Sequence, residues 1–309
     1  MTAIVLIARV IALTVLLFIC YAVAGTLVRL PPPTQPTAEA ASSVGSLLAV
    51  CFLNAAVIAY LILRSRWAGW RLVATIFLVF YGVTTFMSQI ESAVFITGLP
   101  PGALPRLFLM GALVAAPFSA LAVLIMGKRK ASTPDAGPNA HLHMPASEWA
   151  WKLAIIALVY VILYFTFGYF VAWRHPEVRA YYNGVDAGGF FAHMAMVVRD
   201  TPWLIPFQIV RALLWTALAL PVIRMMKGGR LETALAVGLL FSVVMNAQLL
   251  LPNPYMPEVV RMAHLAETPS SNFLFGAFIG WLLSKRHTVN GSVARPEPIH
   301  RRDVDRAAI

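Results

Sequence analysis

Long apolar runs separated by short polar breaks make up most of the chain. The runs are about 16 to 26 residues long, most of them enough as a helix to cross a hydrocarbon core of about 30 Å. The first covers 3–28 and ends at Arg29-Leu30-Pro31. Its Ala22-Val23-Ala24 resembles a signal-peptidase site. The run is nevertheless longer than a cleaved leader, with no charge before Arg9, so a first membrane span is expected. Further spans are expected at 46–63, 70–90, 107–126, 149–173, 203–223, 231–251 and 269–284. In the last of these, Thr268-Pro269 reads as an N-cap followed by a first-turn proline. The expected fold is all-α, a polytopic transmembrane helical bundle of about eight spans.

Composition agrees with the pattern. Of 309 residues, 60% are hydrophobic and 12% charged, where soluble domains carry about a quarter charged. The net charge of +11 would suit nucleic acid, but the basic residues sit in short runs between apolar segments. The lipid bilayer, not nucleic acid, is the expected partner. The breaks at 64–71, 128–152 and 224–230, with the tail, hold most of the Lys and Arg. The alternate breaks hold Arg29, Arg106, Arg174, Arg179, Arg199 and Arg261 and no lysine. By the positive-inside rule both termini are expected in the cytoplasm, with the chain in a bacterial-type inner membrane. Trp67, Trp70, Trp149, Trp151, Trp173, Trp203 and Trp281 lie near expected span ends, as an interfacial belt requires. Cys20 and Cys51 fall within apolar runs and read as small buried hydrophobes. No P-loop, GxGxxG, HExxH or CxxC motif occurs.

The two halves of the chain look alike. Arg29-x-Pro31 matches Arg174-x-Pro176, and Arg64 with Gly69, Arg71 and Leu72 matches Arg224 with Gly228, Arg230 and Leu231. Gln89 matches Gln248, Pro100 and Arg106 match Pro257 and Arg261, and each half closes on a Lys/Arg cluster. A parallel tandem repeat of four spans plus four is expected. Its parts are a first repeat at 1–127, a cytoplasmic linker at 128–148, a second repeat at 149–284 and a disordered cytoplasmic tail at 285–309. The second repeat would carry an outer insertion at about 177–200, whose Tyr181-Tyr-Asn-Gly and Asp186-Ala-Gly-Gly turns suit a lid.

Depth singles out the polar residues. At 1.5 Å per residue, Glu91 lies roughly 30 Å from Arg71, at the outer edge. Gln89, Asn246 and Gln248 fall at similar levels. Asn54 and Arg211 lie on the order of 12 Å in from the outer ends of their spans, with Gln208 one turn above Arg211. His264, Glu267 and Asn272 open the last span. All fall in the outer half, so a polar pocket open to the outer side is expected. Arg211 is its strongest member. A central membrane arginine costs about 2.5 kcal/mol or more, so it should pair, and Glu91 and Glu267 are the available carboxylates. It serves either as a structural ion pair or as a fork for a phosphate or carboxylate.

Glu91, His264 and Glu267 also form a candidate metal-ligand set, of a kind that binds a divalent ion such as zinc and activates a water. His193, in the insertion, reads more readily as a surface residue than as a further ligand. His141 and His143 lie on the wrong side to join. Met194, Met196, Met225 and Met226 read as packing or lipid contact, not a copper motif, and Gly276 and Gly280 as a small-residue face for close helix contact.

Three functions fit these residues: binding or transport of a small anionic or amphipathic molecule; a membrane-embedded, metal-dependent hydrolase acting on a lipid-type substrate; and a non-catalytic assembly subunit. The pocket and the buried Arg211 favour the first. Oligomeric state is not encoded in any readable pattern.

Overall fold

The computed structural model describes residues 2–31, 44–96, 99–130, 142–186, 188–253 and 255–284. Most of the linker, His141 and the tail at 285–309 lie outside them. The described residues form an all-helical bundle without a β-strand. Its long helices are α1 (Ala3–Leu27), α2 (Val44–Leu63), α3 (Gly69–Phe95), α4 (Ala103–Ile125) and α5 (Ala146–Phe170). Two short helices follow, α6 (Pro176–Tyr181) and α7 (Phe190–Asp200). The rest are α8 (Leu204–Met225), α9 (Arg230–Leu250) and α10 (Glu258–Leu283).

Among the described residues seven helices, α1 to α5, α8 and α9, are long and apolar enough to cross a membrane. Such a bundle belongs in a lipid bilayer, because only there does a continuous apolar exterior lack a solvation penalty. The apolar exterior is plain on α1, where Ile4, Ile7, Ile11, Val15 and Ile19 are all exposed. The last helix differs from expectation. It begins at Glu258, about three turns before Pro269, and Pro269 lies inside it. The reading of Thr268-Pro269 as a helix start is therefore corrected. Pro257 caps the helix, and the Thr268 hydroxyl bonds back to the His264 carbonyl at 2.7 Å. Glu258, Arg261, His264 and Glu267 occupy these extra turns, which is why α10 is less apolar than the other long helices.

The insertion holds more than its two expected turns, which fall at Tyr182-Asn183 and Gly188-Gly189. Beside them stand α6 and α7, and α6 docks on α10. Val178 packs with Ala172, Val260 and Ala263 in a small separate core. Tyr181 Oη donates to the Tyr255 carbonyl at 2.8 Å.

Packing follows definite pairs. α1 packs on α2 and α4, and α3 on α4. α5 packs on α8 and α10, and α9 on α10. Across the middle, α2 meets α9, α3 meets α8, and α3 meets α9. Both central helices contain one widened, π-helical turn, Gly82–Met87 in α3 and Leu240–Val244 in α9, and these two turns touch. A π turn adds a residue to one turn and rotates everything beyond it. It thereby sets the direction of Gln89 and Glu91 on α3 and of Asn246 and Gln248 on α9.

The basic end of the bundle is tied by backbone. Arg66 N–H donates to the Met225 carbonyl at 2.7 Å, and Lys227 N–H to the Arg64 carbonyl at 2.9 Å. Arg64 forks onto Glu232, with its Nη2 2.7 Å from Oε2. The loop between α2 and α3 and that between α8 and α9 are thus clasped antiparallel. Gly276 and Gly280 face α9: a Cβ at Gly276 would meet the Val237 carbonyl oxygen at 2.6 Å, and one at Gly280 the Ala234 Cα at 2.8 Å. Their contact is within the chain.

Candidate functional site

Arg211 projects from α8 into the bundle near the end opposite the clasp, and only 3% of it is exposed. Desolvation on this scale requires partners. The guanidinium forms an ion pair with Glu91 of α3. Its Nη1 donates to Gln208 Oε1 at 2.7 Å, one turn earlier on its own helix. Three rings surround it, with centroids at 5.7 Å (Tyr160), 6.0 Å (Tyr164) and 5.8 Å (Phe207). At these distances ring faces attract a cation, and more strongly where water is excluded. Glu267 of α10 lies within electrostatic range of the same guanidinium.

The partners are not equally buried. The Gln208 residue is fully buried, whereas 37% of the Glu91 side chain is exposed. Glu91 therefore stands at the edge of the site, between Arg211 and the surroundings. Two donors remain unmet: Arg211 Nε and Gln208 Nε2 are buried and have no acceptor among the described residues. Gln89 Oε1 and Asn54 Oδ1, also buried, have no donor there. Buried polar atoms are nearly always satisfied in proteins, so the two unmet donors on Arg211 and Gln208, which are hydrogen-bonded to each other, are open to an acceptor.

A second chain of hydrogen bonds starts on α10. His264 Nδ1 lies 3.0 Å from Glu267 Oε2, and its Nε2 lies 2.9 Å from Tyr182 Oη in the insertion. Glu267 is buried. Thr268 Oγ1 donates to Asn246 Oδ1 at 2.6 Å, while the Asn246 amide donates to the Ser242 carbonyl at 2.7 Å. Gln248 Nε2 donates to Ser88 Oγ at 2.8 Å, joining α9 to α3. Asn272 is half-buried on α10 and belongs to neither chain.

The structure thus brings Arg211, Gln208 and Glu91 together, and separately His264 with Glu267. It does not assemble Glu91, His264 and Glu267 as a metal-ligand set. Among the described residues no group of three His, Cys, Asp or Glu side chains is arranged to hold a metal ion. The reason is physical: Glu91 is committed to Arg211, and His264 spends both ring nitrogens on Glu267 and Tyr182. Arg211 and Gln208 lie closed off within the bundle, while Glu91 beside them is partly exposed. Two clefts lie elsewhere, one lined by Tyr169, Trp173, Arg174, Arg179 and Asp186, the other by Ser242, Pro269, Ser270, Phe273 and Leu274. His193 is buried rather than on the surface. It lies between Tyr169 and Trp173, with ring centroids 5.4 Å and 5.3 Å away.

Sequence reasoning missed Tyr160, Tyr164 and Phe207 as the basket around Arg211, and Tyr182 as the partner of His264. Tyr160 and Tyr164 are spaced one helical turn apart, the only signal available. Fold and site together define a helical membrane protein with a closed, charged interior. No family model matches the chain, and neither a curated protein nor a solved structure matches it.

Proposed function

We propose that this protein binds a small anionic or amphipathic molecule at Arg211 and passes it across a bacterial-type inner membrane, with Glu91 as the internal anion that the ligand displaces. The observation carrying this reading is the pair of unmet donors, Arg211 Nε and Gln208 Nε2, beside a carboxylate that already occupies the rest of the guanidinium. A carboxylate or phosphate arriving from the Glu91 side takes the Glu91 position and gives acceptors to both donors. Tyr160, Tyr164 and Phe207 suit an apolar portion of the same ligand.

The reading includes a tandem duplication, with α1 to α4 corresponding to α5, α8, α9 and α10. It is supported by the pairs α1–α2, α1–α4 and α3–α4, which have counterparts in α5–α8, α5–α10 and α9–α10, and by the π-helical turns in α3 and α9. On this reading α10 is an eighth span and the site lies beside the junction of the halves, as in transporters built from repeats. The basic end faces the cytoplasm, so Glu91 and the insertion face outward.

Reconstituted vesicles test the proposal. Wild-type protein should move radiolabelled short- and medium-chain carboxylates, and Arg211→Gln, inserted at the same level, should move none. Equal uptake by both would refute it.

A further inference from the structure

The cleft at the insertion stands apart from the Arg211 site. It is formed where the end of α5 meets the insertion, and its volume is about 200 Å³. That is below the 300 Å³ or so at which pockets take a whole small molecule, and it suits a headgroup. Its wall carries two guanidinium groups and one carboxylate, Arg174, Arg179 and Asp186, so one positive charge is left over.

The parts are held in place. Arg179 Nη1 donates to the Trp173 carbonyl at 2.6 Å, and its Nη2 stands 3.5 Å from Asp186 Oδ2. Asp186 Oδ1 in turn accepts from Gly188 N–H at 2.9 Å. The Trp173 ring lies against Gly184, where a Cβ would overlap it, and against His193. The indole is therefore fixed, yet its Nε1–H is buried and has no acceptor among the described residues. Arg174 is exposed.

We propose that this cleft binds a monoanionic phosphodiester, with Arg174, Arg179 and the Trp173 indole N–H as donors. Three donors on separate groups suit the several oxygens of a phosphate better than a flat carboxylate, and one negative charge neutralises the cleft. Trp173 and Arg174 close the long apolar segment Ala146–Arg174, the level at which interfacial tryptophans and lipid headgroups meet. A lipid headgroup and a soluble phosphodiester share this chemistry.

Native mass spectrometry of the full-length protein in detergent tests the site with phosphatidylglycerol, diacylglycerol and soluble glycerophosphoglycerol as probes. Arg174→Ala and Trp173→Phe are the informative variants, since neither removes a side-chain hydrogen bond seen within the protein. Arg179 is left intact because it braces the loop. Wild type should retain phosphatidylglycerol and not diacylglycerol, and each variant should weaken retention by about tenfold or less, and the pair together by more. Competition by glycerophosphoglycerol identifies a site that needs only the diester. Its failure, with lipid retention intact, assigns the site to membrane lipid. Retention of diacylglycerol equal to that of phosphatidylglycerol, or undiminished retention in the double variant at an unchanged melting temperature, overturns the proposal.

Discussion

Tyr182 Oη and His264 Nε2 lie 2.9 Å apart and join the insertion to the buried start of α10. His264 holds Glu267 with its other nitrogen, so Tyr182, in the insertion, is two hydrogen bonds from a carboxylate within electrostatic range of Arg211. The insertion is thereby part of the site's support.

Tyr182→Phe should free this link while keeping the ring. A lost hydrogen bond of this kind costs about 1 kcal/mol. Hydrogen exchange should rise in α6 and the first turns of α10 and stay unchanged at the Arg64–Glu232 clasp. A uniform rise, or none, would show that the bond does not dock the insertion.

The two ends of the Arg211–Glu91 pair should respond unequally. Glu91→Gln leaves a buried guanidinium without its counter-charge, a situation that costs about 3 to 5 kcal/mol. Arg211→Met leaves a carboxylate that is partly exposed and can be hydrated, so it should cost less. Thermal unfolding in detergent measures both, and a larger loss in Arg211→Met would contradict the burial argument.

Gly280→Val should destabilise the bundle by about 1 to 3 kcal/mol, the usual cost of overpacking, because α9 backbone stands where its side chain must go. Monomer and oligomer populations in detergent should not change, since that face is filled by the chain's own helix. A shift in oligomeric state would move the contact outside the chain.

Burial lowers the pKa of His193 from the ordinary value of 6.5, against a smaller opposing effect from Asp186. The sign follows. Protonation favours the unfolded segment, so the stability from neutral His193 is complete above pH 6.5 and is lost as pH falls through the depressed folded value. Hydrogen exchange in α7 should therefore quicken on acidification, and His193→Phe should flatten that dependence. An α7 that becomes better protected at low pH would reverse the assignment.

Much of this was legible in the residues. The spans could be placed because apolar run length and membrane thickness match, and Arg211 stood out because depth follows from residue count. What escaped depends on rotation and long-range contact. Pro269 looked like a helix start because proline is favoured there, and only packing of the preceding turns against α6 and α9 carries the helix back to Glu258. The π-helical turns leave no sequence signature, yet they decide where Glu91 points. Glu91, His264 and Glu267 share a depth, which residue counting gives, but not a common centre, which depends on rotation about three helix axes.

Chemical rescue of Glu91→Gln tests the central claim most directly. If Arg211 is an anion site that Glu91 fills from within, decanoate added to the purified variant should restore much of the lost melting temperature. It should stabilise wild type less, and leave Glu91→Gln with Arg211→Met unaffected. A Glu91→Gln protein that decanoate and phosphate esters do not stabilise, or a double variant that they stabilise equally, would contradict the account.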